Sequence, residues 1–371
     1  MERKRALLML DDGVCFEGEA CGACREATGE VVFSTSMSGY QETLTDPSYY
    51  GQILVFTAAH IGNYGVSPLD DEALHPLAAG AVFHDLFDAP GGVFPHWRAV
   101  ESLDKRLAAE GMTGISRVDT RSLTLHLRRH GSRNGIISAV EFDKPTLLRR
   151  ARELPPMQGR DLAREVSCQS AYGYEKGLNA EGRPLRVAVL DYGVKRSILD
   201  SLTRNGMQAT VWPALTSAED ILASRPDGIL LSNGPGDPQP CGWAVDTIGK
   251  LLGRVPVFGI CLGHQLLALA LGARTCKLPF GHHGSNHPVK DILTGRVCIT
   301  SQNHGFAVVP DSLPATVRPT HWNLNDNTLE GLEVTDMPAF SVQFHPEAGP
   351  GPHDAYPLFG RFRSLILEHK G

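Results

Sequence analysis

The chain of 371 residues carries 35 Lys and Arg against 41 Asp and Glu, a net charge of −6, with 42% hydrophobic and 20% charged residues. At roughly 150 residues per domain this length suggests two domains with a sizeable core, and the composition excludes a chain disordered throughout. An acidic balance with no long basic block argues against an extended nucleic-acid footprint.

The opening run MERKRALLML has a basic head but only five apolar residues before Asp11. A secretory core needs roughly 7 to 15, so no export signal is expected. Residues 1–151 read as a mixed α+β domain. Strand-like runs at 29–36 and 52–58 are separated by turn chemistry, and helical periodicity follows at 102–110 and at 120–130, where Gly131 is a stop signal. Residues 152–184 contain Leu154-Pro155-Pro156, four glycines and Pro184 with little period, and read as a connecting segment. From 185 to 371 the pattern changes. Strands at 186–193, 208–212, 228–231 and 255–260 alternate with helices at 195–204 (closed by Gly206), 243–252 and 262–271. This alternation predicts an α/β domain with a mostly parallel sheet flanked by helices, whose sites lie at the carboxyl ends of the strands.

The most apolar window, 255–273, is interrupted by Pro256, Gly259, Gly263, His264 and Gln265, so it reads as core and not as a membrane span. Eight cysteines are scattered through a chain too large to need disulfide staples, which points to reduced thiols and a cytoplasmic location. Cys21 and Cys24 form one C-x-x-C, too few ligands for a zinc site, and are taken as structural. His282, His283, His287 and His304 match no familiar ligand spacing, so no metal is expected. Asp191-Tyr192-Gly193 with Lys195 reads as packing at a strand end, and Arg128, Arg129 and Arg133 as a solvated face.

VPVFGICLGHQ carries the strongest chemical signal. A strand ends at Gly259, Cys261 lies between Gly259 and Gly263, and a helix starts at once. This G-x-C-x-G is the cysteine form of a nucleophile elbow. At a helix N-terminus the thiol meets free amides and the positive end of the dipole, which favour thiolate, and the Leu262 amide can face an oxyanion. The alternative is a small buried cysteine at a strand end. Downstream, AFSVQFHPEA ends in His345-Pro346-Glu347. Pro346 biases His345 towards extended backbone, where residues i and i+2 share a side, so imidazole and carboxylate can lie together. In DGILLSNGPGDP, Gly234 and Gly236 leave bare amides in a loop after a strand, which is also what a simple turn would show. An α/β-hydrolase with a cysteine nucleophile is disfavoured, because its acid precedes the histidine in the chain.

GICLGHQ, the N-G-P-G-D-P loop and the terminal H-P-E together resemble the triad-type, class I glutamine amidotransferase domain. Residues 29–50, HIGNYG (60–65), VDTRSLT (118–124), GHHGSNHPVKD (281–291) and SQNHGFAV (301–308) resemble the small-subunit family of carbamoyl-phosphate synthetases, so the likeness spans nearly the whole chain. The resemblance implies a Cys261-His345-Glu347 triad that hydrolyses glutamine through a glutamyl thioester. It implies an oxyanion hole from the amides of Leu262 and Gly236, and glutamine held by Ser48, Gly234, Gln265, Asn303, Gly305 and Phe306. It also implies a partner-facing N-terminal domain and a large synthetase subunit that receives the ammonia and makes carbamoyl phosphate for arginine and pyrimidine synthesis. The chain has no G-x-x-x-x-G-K-[ST] loop, so no cofactor is expected on it, and ATP and magnesium are expected on the large subunit.

Overall fold

The computed structural model describes residues 4–88, 94, 96–178, 180 and 182–370, which leaves Met1–Arg3 of the basic head outside it. The chain divides into two compact units, Met1–Met157 with Pro279–Gly284, and Gln158–Leu278 with Ser285–Gly371.

The first unit contains β1 (Arg5–Leu10), β2 (Cys15–Gly22), β3 (Glu26–Ser34), α1 (Tyr40–Thr45), β4 (Gln52–Phe56), β5 (His60–Ile61), β6 (Gly80–Val82), β7 (Asp85–Leu86), α2 (Leu103–Ala109), β8 (Thr113–Ser116), α3 (Thr120–His130), β9 (Arg133–Ser138) and α4 (Lys144–Glu153). Seven of these strands close into a barrel in the order β1-β2-β8-β6-β4-β3-β9. Strand β1 shows why its sequence is apolar on both faces. Ala6, Leu8 and Leu10 join one core with Val31, Ile53 and Ile137, whereas Leu7 and Met9 face Leu147 and Ala151 of α4. Each fully buried Leu, Ile, Val or Met among these contributes about 1.5–3 kcal/mol of transfer free energy. Helix α3 begins where Asp119 accepts from the Ser122 amide (2.9 Å) and ends at Gly131, φ 84°. Cys21 packs with Leu103 and Leu107, and Cys24 packs in the separate core around Val31; neither forms a disulfide.

The second unit contains α5 (Ala163–Val166), β10 (Tyr172–Tyr174), β11 (Leu185–Asp191), α6 (Arg196–Arg204), β12 (Met207–Pro213), α7 (Ala218–Ala223), β13 (Gly228–Leu231), α8 (Gly242–Leu251), β14 (Val257–Ile260), α9 (Leu262–Ala270), both ends of β15 (Thr275–Asp291, whose residues Pro279–Gly284 are counted with the first unit), β16 (Val297–Val308), β17 (Val317–Asn323), β18 (Leu329–Val334), β19 (Ala339–Val342) and α10 (Pro357–Lys370). Its sheet runs β10-β12-β11-β13-β14-β19-β18-β17-β15-β16. Pairing is parallel from β12 through β11, β13 and β14 to β19. It is antiparallel at β10 and across β19-β18-β17-β15.

The expected mostly parallel sheet is thus corrected to a mixed one, parallel only over its five-strand centre. The physical reason lies in the connections. No α-helix intervenes between Ala270 and Pro357, and strands joined without a helical crossover pair antiparallel. Helices cover both faces of the centre. Val187 and Val189 of β11 pack with Ile198 and Leu202 of α6 and Phe362 of α10, while Ala188 and Leu190 pack with Ile248 of α8 and Leu266 of α9. The stretch 152–184, read from sequence as a connection, holds the end of α4, α5 and the edge strand β10.

Candidate active site

Strand β14 stops at Ile260, and Cys261 turns the chain with φ 54° and ψ −105°, a backbone region that favours glycine. The Cys261 carbonyl already accepts from the amides of His264 (3.1 Å) and Gln265 (3.2 Å), so Cys261 is the N-cap of α9. Its own amide is fixed on Val342 O of β19 (2.9 Å). The Leu262 amide, first of the helix, belongs to the group that an α-helix leaves without an internal acceptor. Glycine at 263 is dictated by contact, since a Cβ there would lie 2.2 Å from Leu231 O of the neighbouring strand. The elbow therefore packs against β13 with no room for a side chain. Cys261 is 2% exposed, and its thiol donates to Asn303 O at 3.4 Å.

His345 and Glu347 come together differently from the extended arrangement expected for them. Strand β19 ends at Val342; His345 makes an isolated bridge to Ser301, and the chain then turns, with the Ala348 amide on His345 O (3.2 Å). That turn, and not a strand, sets His345 Nδ1 2.7 Å from Glu347 Oε1. Lys195 Nζ donates to the same oxygen at 2.9 Å and to Gly349 O at 2.7 Å. The ion pair is almost dry, with side chains 2% and 0% exposed. Burial alone would raise the Glu347 carboxyl, but the charges of Lys195 and then His345 outweigh it and hold the group well below the usual carboxylate range. Burial likewise pushes His345 down, and the Glu347 carboxylate, with Cys261 beyond it, outweighs that and raises the imidazole well above its ordinary value. His345 Nε2, the nitrogen opposite Glu347, is buried and makes no hydrogen bond among the described residues.

The N-G-P-G-D loop follows β13. Ser232 Oγ accepts from the Tyr192 amide (2.9 Å), Asn233 Oδ1 accepts from the Lys195 amide (3.2 Å), and Asp237 Oδ2 accepts from the Gly159 amide (2.9 Å). A Cβ at Gly234 would lie 2.0 Å from Tyr192 O, so only bare backbone fits there. The loop is thus tied to the turn that presents Lys195. On α9, Gln265 Nε2 donates to Phe306 O (2.7 Å) and Gln343 Oε1 (3.0 Å), joining the helix to β16, which carries Asn303, Gly305 and Phe306. The Lys277 ammonium stands over the Phe306 ring at 5.1 Å.

Of the triad and glutamine-binding residues expected from the resemblance, all but Ser48 belong to the second unit. Ser48 lies in a 3-10 turn of the first, its amide held by Asp46 Oδ1 at 2.9 Å. Sequence reasoning missed Lys195, which it assigned to strand-end packing. The usable signal was its place, directly after the carboxyl end of a predicted parallel strand.

The arrangement defines a protein of a recognisable class. The family described as glutamine amidotransferase class-I matches residues 188–365, and carbamoyl-phosphate synthase small chain, CPSase domain, matches residues 8–137. The chain is 49% identical over 375 residues, 99% of each chain, to the carbamoyl phosphate synthase small chain of Syntrophotalea carbinolica. It is 50% identical over 380 residues, 99% of this chain and 98% of the relative, to that of Escherichia coli strain K12. The chain belongs to the carbamoyl phosphate synthase small-chain family, and its second unit carries the class-I amidotransferase domain of an enzyme subunit. Among the described residues no helix is long and apolar enough to cross a membrane.

Proposed function

We propose that this chain hydrolyses glutamine to glutamate and ammonia at Cys261, and that the ammonia passes to a large synthetase subunit that forms carbamoyl phosphate from bicarbonate and ATP. The observation that carries the reading is the buried line Lys195–Glu347–His345, which fixes the Nδ1 proton and leaves Nε2 free for chemistry.

In this scheme the Cys261 proton moves to His345 Nε2, and Sγ attacks the side-chain amide carbon of glutamine. The amides of Leu262 and Gly236 receive the developing oxyanion. The imidazolium returns its proton to the leaving nitrogen, the C–N bond breaks, and ammonia departs from a glutamyl thioester. Water, losing a proton to the same imidazole, attacks the thioester; the C–S bond breaks and glutamate leaves with the thiol restored. Gln265, Asn303, Gly305, Phe306, Gly234 and Ser48 are the residues that the reading assigns to holding the substrate. The phosphoryl chemistry, with ATP and magnesium, belongs to the large subunit, and the product feeds arginine and pyrimidine synthesis in the cytoplasm.

The test is glutamate release by the chain with its synthetase partner. Cys261→Ala should abolish it, and His345→Asn should abolish glutamine-dependent synthesis while leaving synthesis from free ammonia intact. Glutamine hydrolysis by Cys261→Ala at the wild-type rate would refute the assignment.

A further inference from the structure

Beside the triad, one residue of β16 holds the His345–Glu347 turn at both ends. The Ser301 carbonyl accepts from the His345 amide at 2.9 Å, and its hydroxyl donates to Pro350 O at 2.7 Å. The segment 345–350 is thereby closed into a loop on a single residue, its carbonyl at one end and its hydroxyl at the other, with Glu347 inside it. Ser285 Oγ adds a longer bond to the same Pro350 oxygen (3.2 Å) and lies 3.4 Å from Ser301 Oγ. Within the loop Ala348 is buried at φ 62°, a left-handed conformation that an alanine holds only when its surroundings impose it.

We propose that Ser301 is a positioning residue for glutamine hydrolysis, whose hydroxyl closes the 345–350 loop and so keeps Glu347 under the Nδ1 of His345. The inference rests on the triad reading above. With the hydroxyl gone, Pro350 O loses its shortest bond and Ala348 is free to relax towards negative φ. Glu347 lies one residue away and moves with it. The groups that set the charge on His345 are Glu347, Lys195 through Glu347, and Cys261, so a displaced carboxylate weakens the hold on the imidazolium.

The experiment uses the full chain assembled with its synthetase partner and reads glutamate release. Ser301→Ala should lower kcat by about 10- to 100-fold, with KM for glutamine changed by less than about threefold, the range seen when an oriented catalytic group loses its support. The alkaline limb of kcat/KM should move to lower pH. Ser301→Thr, which keeps the hydroxyl, should restore kcat. Adding Ala348→Gly to Ser301→Ala should recover part of it, because glycine tolerates φ 62° without the clamp. Should Ser301→Ala not fold, Ser301→Cys, with its weaker donor, is read in the same way. Wild-type kcat and pH profile in the Ala variant, or a loss confined to KM, would overturn the proposal. If Cys261→Ala is inactive while Ser301→Ala is normal, the inference alone fails; if Cys261→Ala hydrolyses glutamine, the triad reading has failed first.

Discussion

Replacing Lys195 with Met removes a cation from a buried pair and keeps most of the side-chain volume. At the observed 2.9 Å, Coulomb's law with an effective dielectric of about 20 puts the attraction near 6 kcal/mol. Part of that is offset by the cost of drying both charges, and breaking such pairs by removing one partner costs about 3–5 kcal/mol. A loss of that size is a large share of the roughly 5–15 kcal/mol that holds a domain folded. It should appear as an earlier urea midpoint of the purified chain. Activity changes through Glu347. Its carboxyl is held down first by Lys195, so the variant's carboxyl rises, and it must be ionised to hold the Nδ1 proton of His345. A depressed carboxyl acts above its folded value and fails as pH falls through it, so the acid limb of kcat/KM for glutamine should start at a higher pH in Lys195→Met. An unfolding free energy within about 1 kcal/mol of wild type, a difference ordinary for surface substitutions, together with an unmoved acid limb, would refute the reasoning.

Two further outcomes are expected. Gly263→Ala places a Cβ 2.2 Å from a strand carbonyl and should destabilise by about 3 kcal/mol or more in thermal melts, while Gly249→Ala, in α8 with open space around its Cβ, should stabilise by about 0.5–1 kcal/mol. Buried His264 and His321 are pushed down to about 3 and about 4 by burial, so only the unfolded chain takes up protons at these sites as pH falls below about 6.5. Stability should then fall by up to about 1.4 kcal/mol per pH unit per histidine between pH 6.5 and 4.5. His345, raised instead of lowered, contributes fully below about 6.5 and loses its contribution only on the alkaline side. Urea midpoints across this range, with a shallower slope for His264→Asn, provide the check.

The parallel centre of the second unit was legible because its punctuation is local. Gly206 after α6 and the Gly259–Gly263 elbow mark element ends within a few residues of the pattern they close. The barrel was not, because its closure pairs Leu7 with Ser138 and Leu8 with Ile137, partners that no local periodicity links. The antiparallel half of the sheet escaped for a related reason, its strands lacking the intervening helices that announce a crossover. At the site, the His345-Glu347 proximity was anticipated on the wrong geometry, since a turn closed at Ala348 does what an extended strand was expected to do. Lys195 stayed hidden because packing at a strand end accounts for its place in the sequence equally well, and only the fold shows that Glu347 and Gly349 O surround its ammonium.

The backbone of Cys261 sets stability against use. Residues held in such sparsely populated conformations cost about 1–3 kcal/mol, and glycine would relieve that cost at once. Glycine at 261 would also empty the space the buried thiol fills, so part of that relief is offset. On the proposed mechanism, a relative that keeps this fold with glycine at the elbow is expected to have lost glutamine hydrolysis.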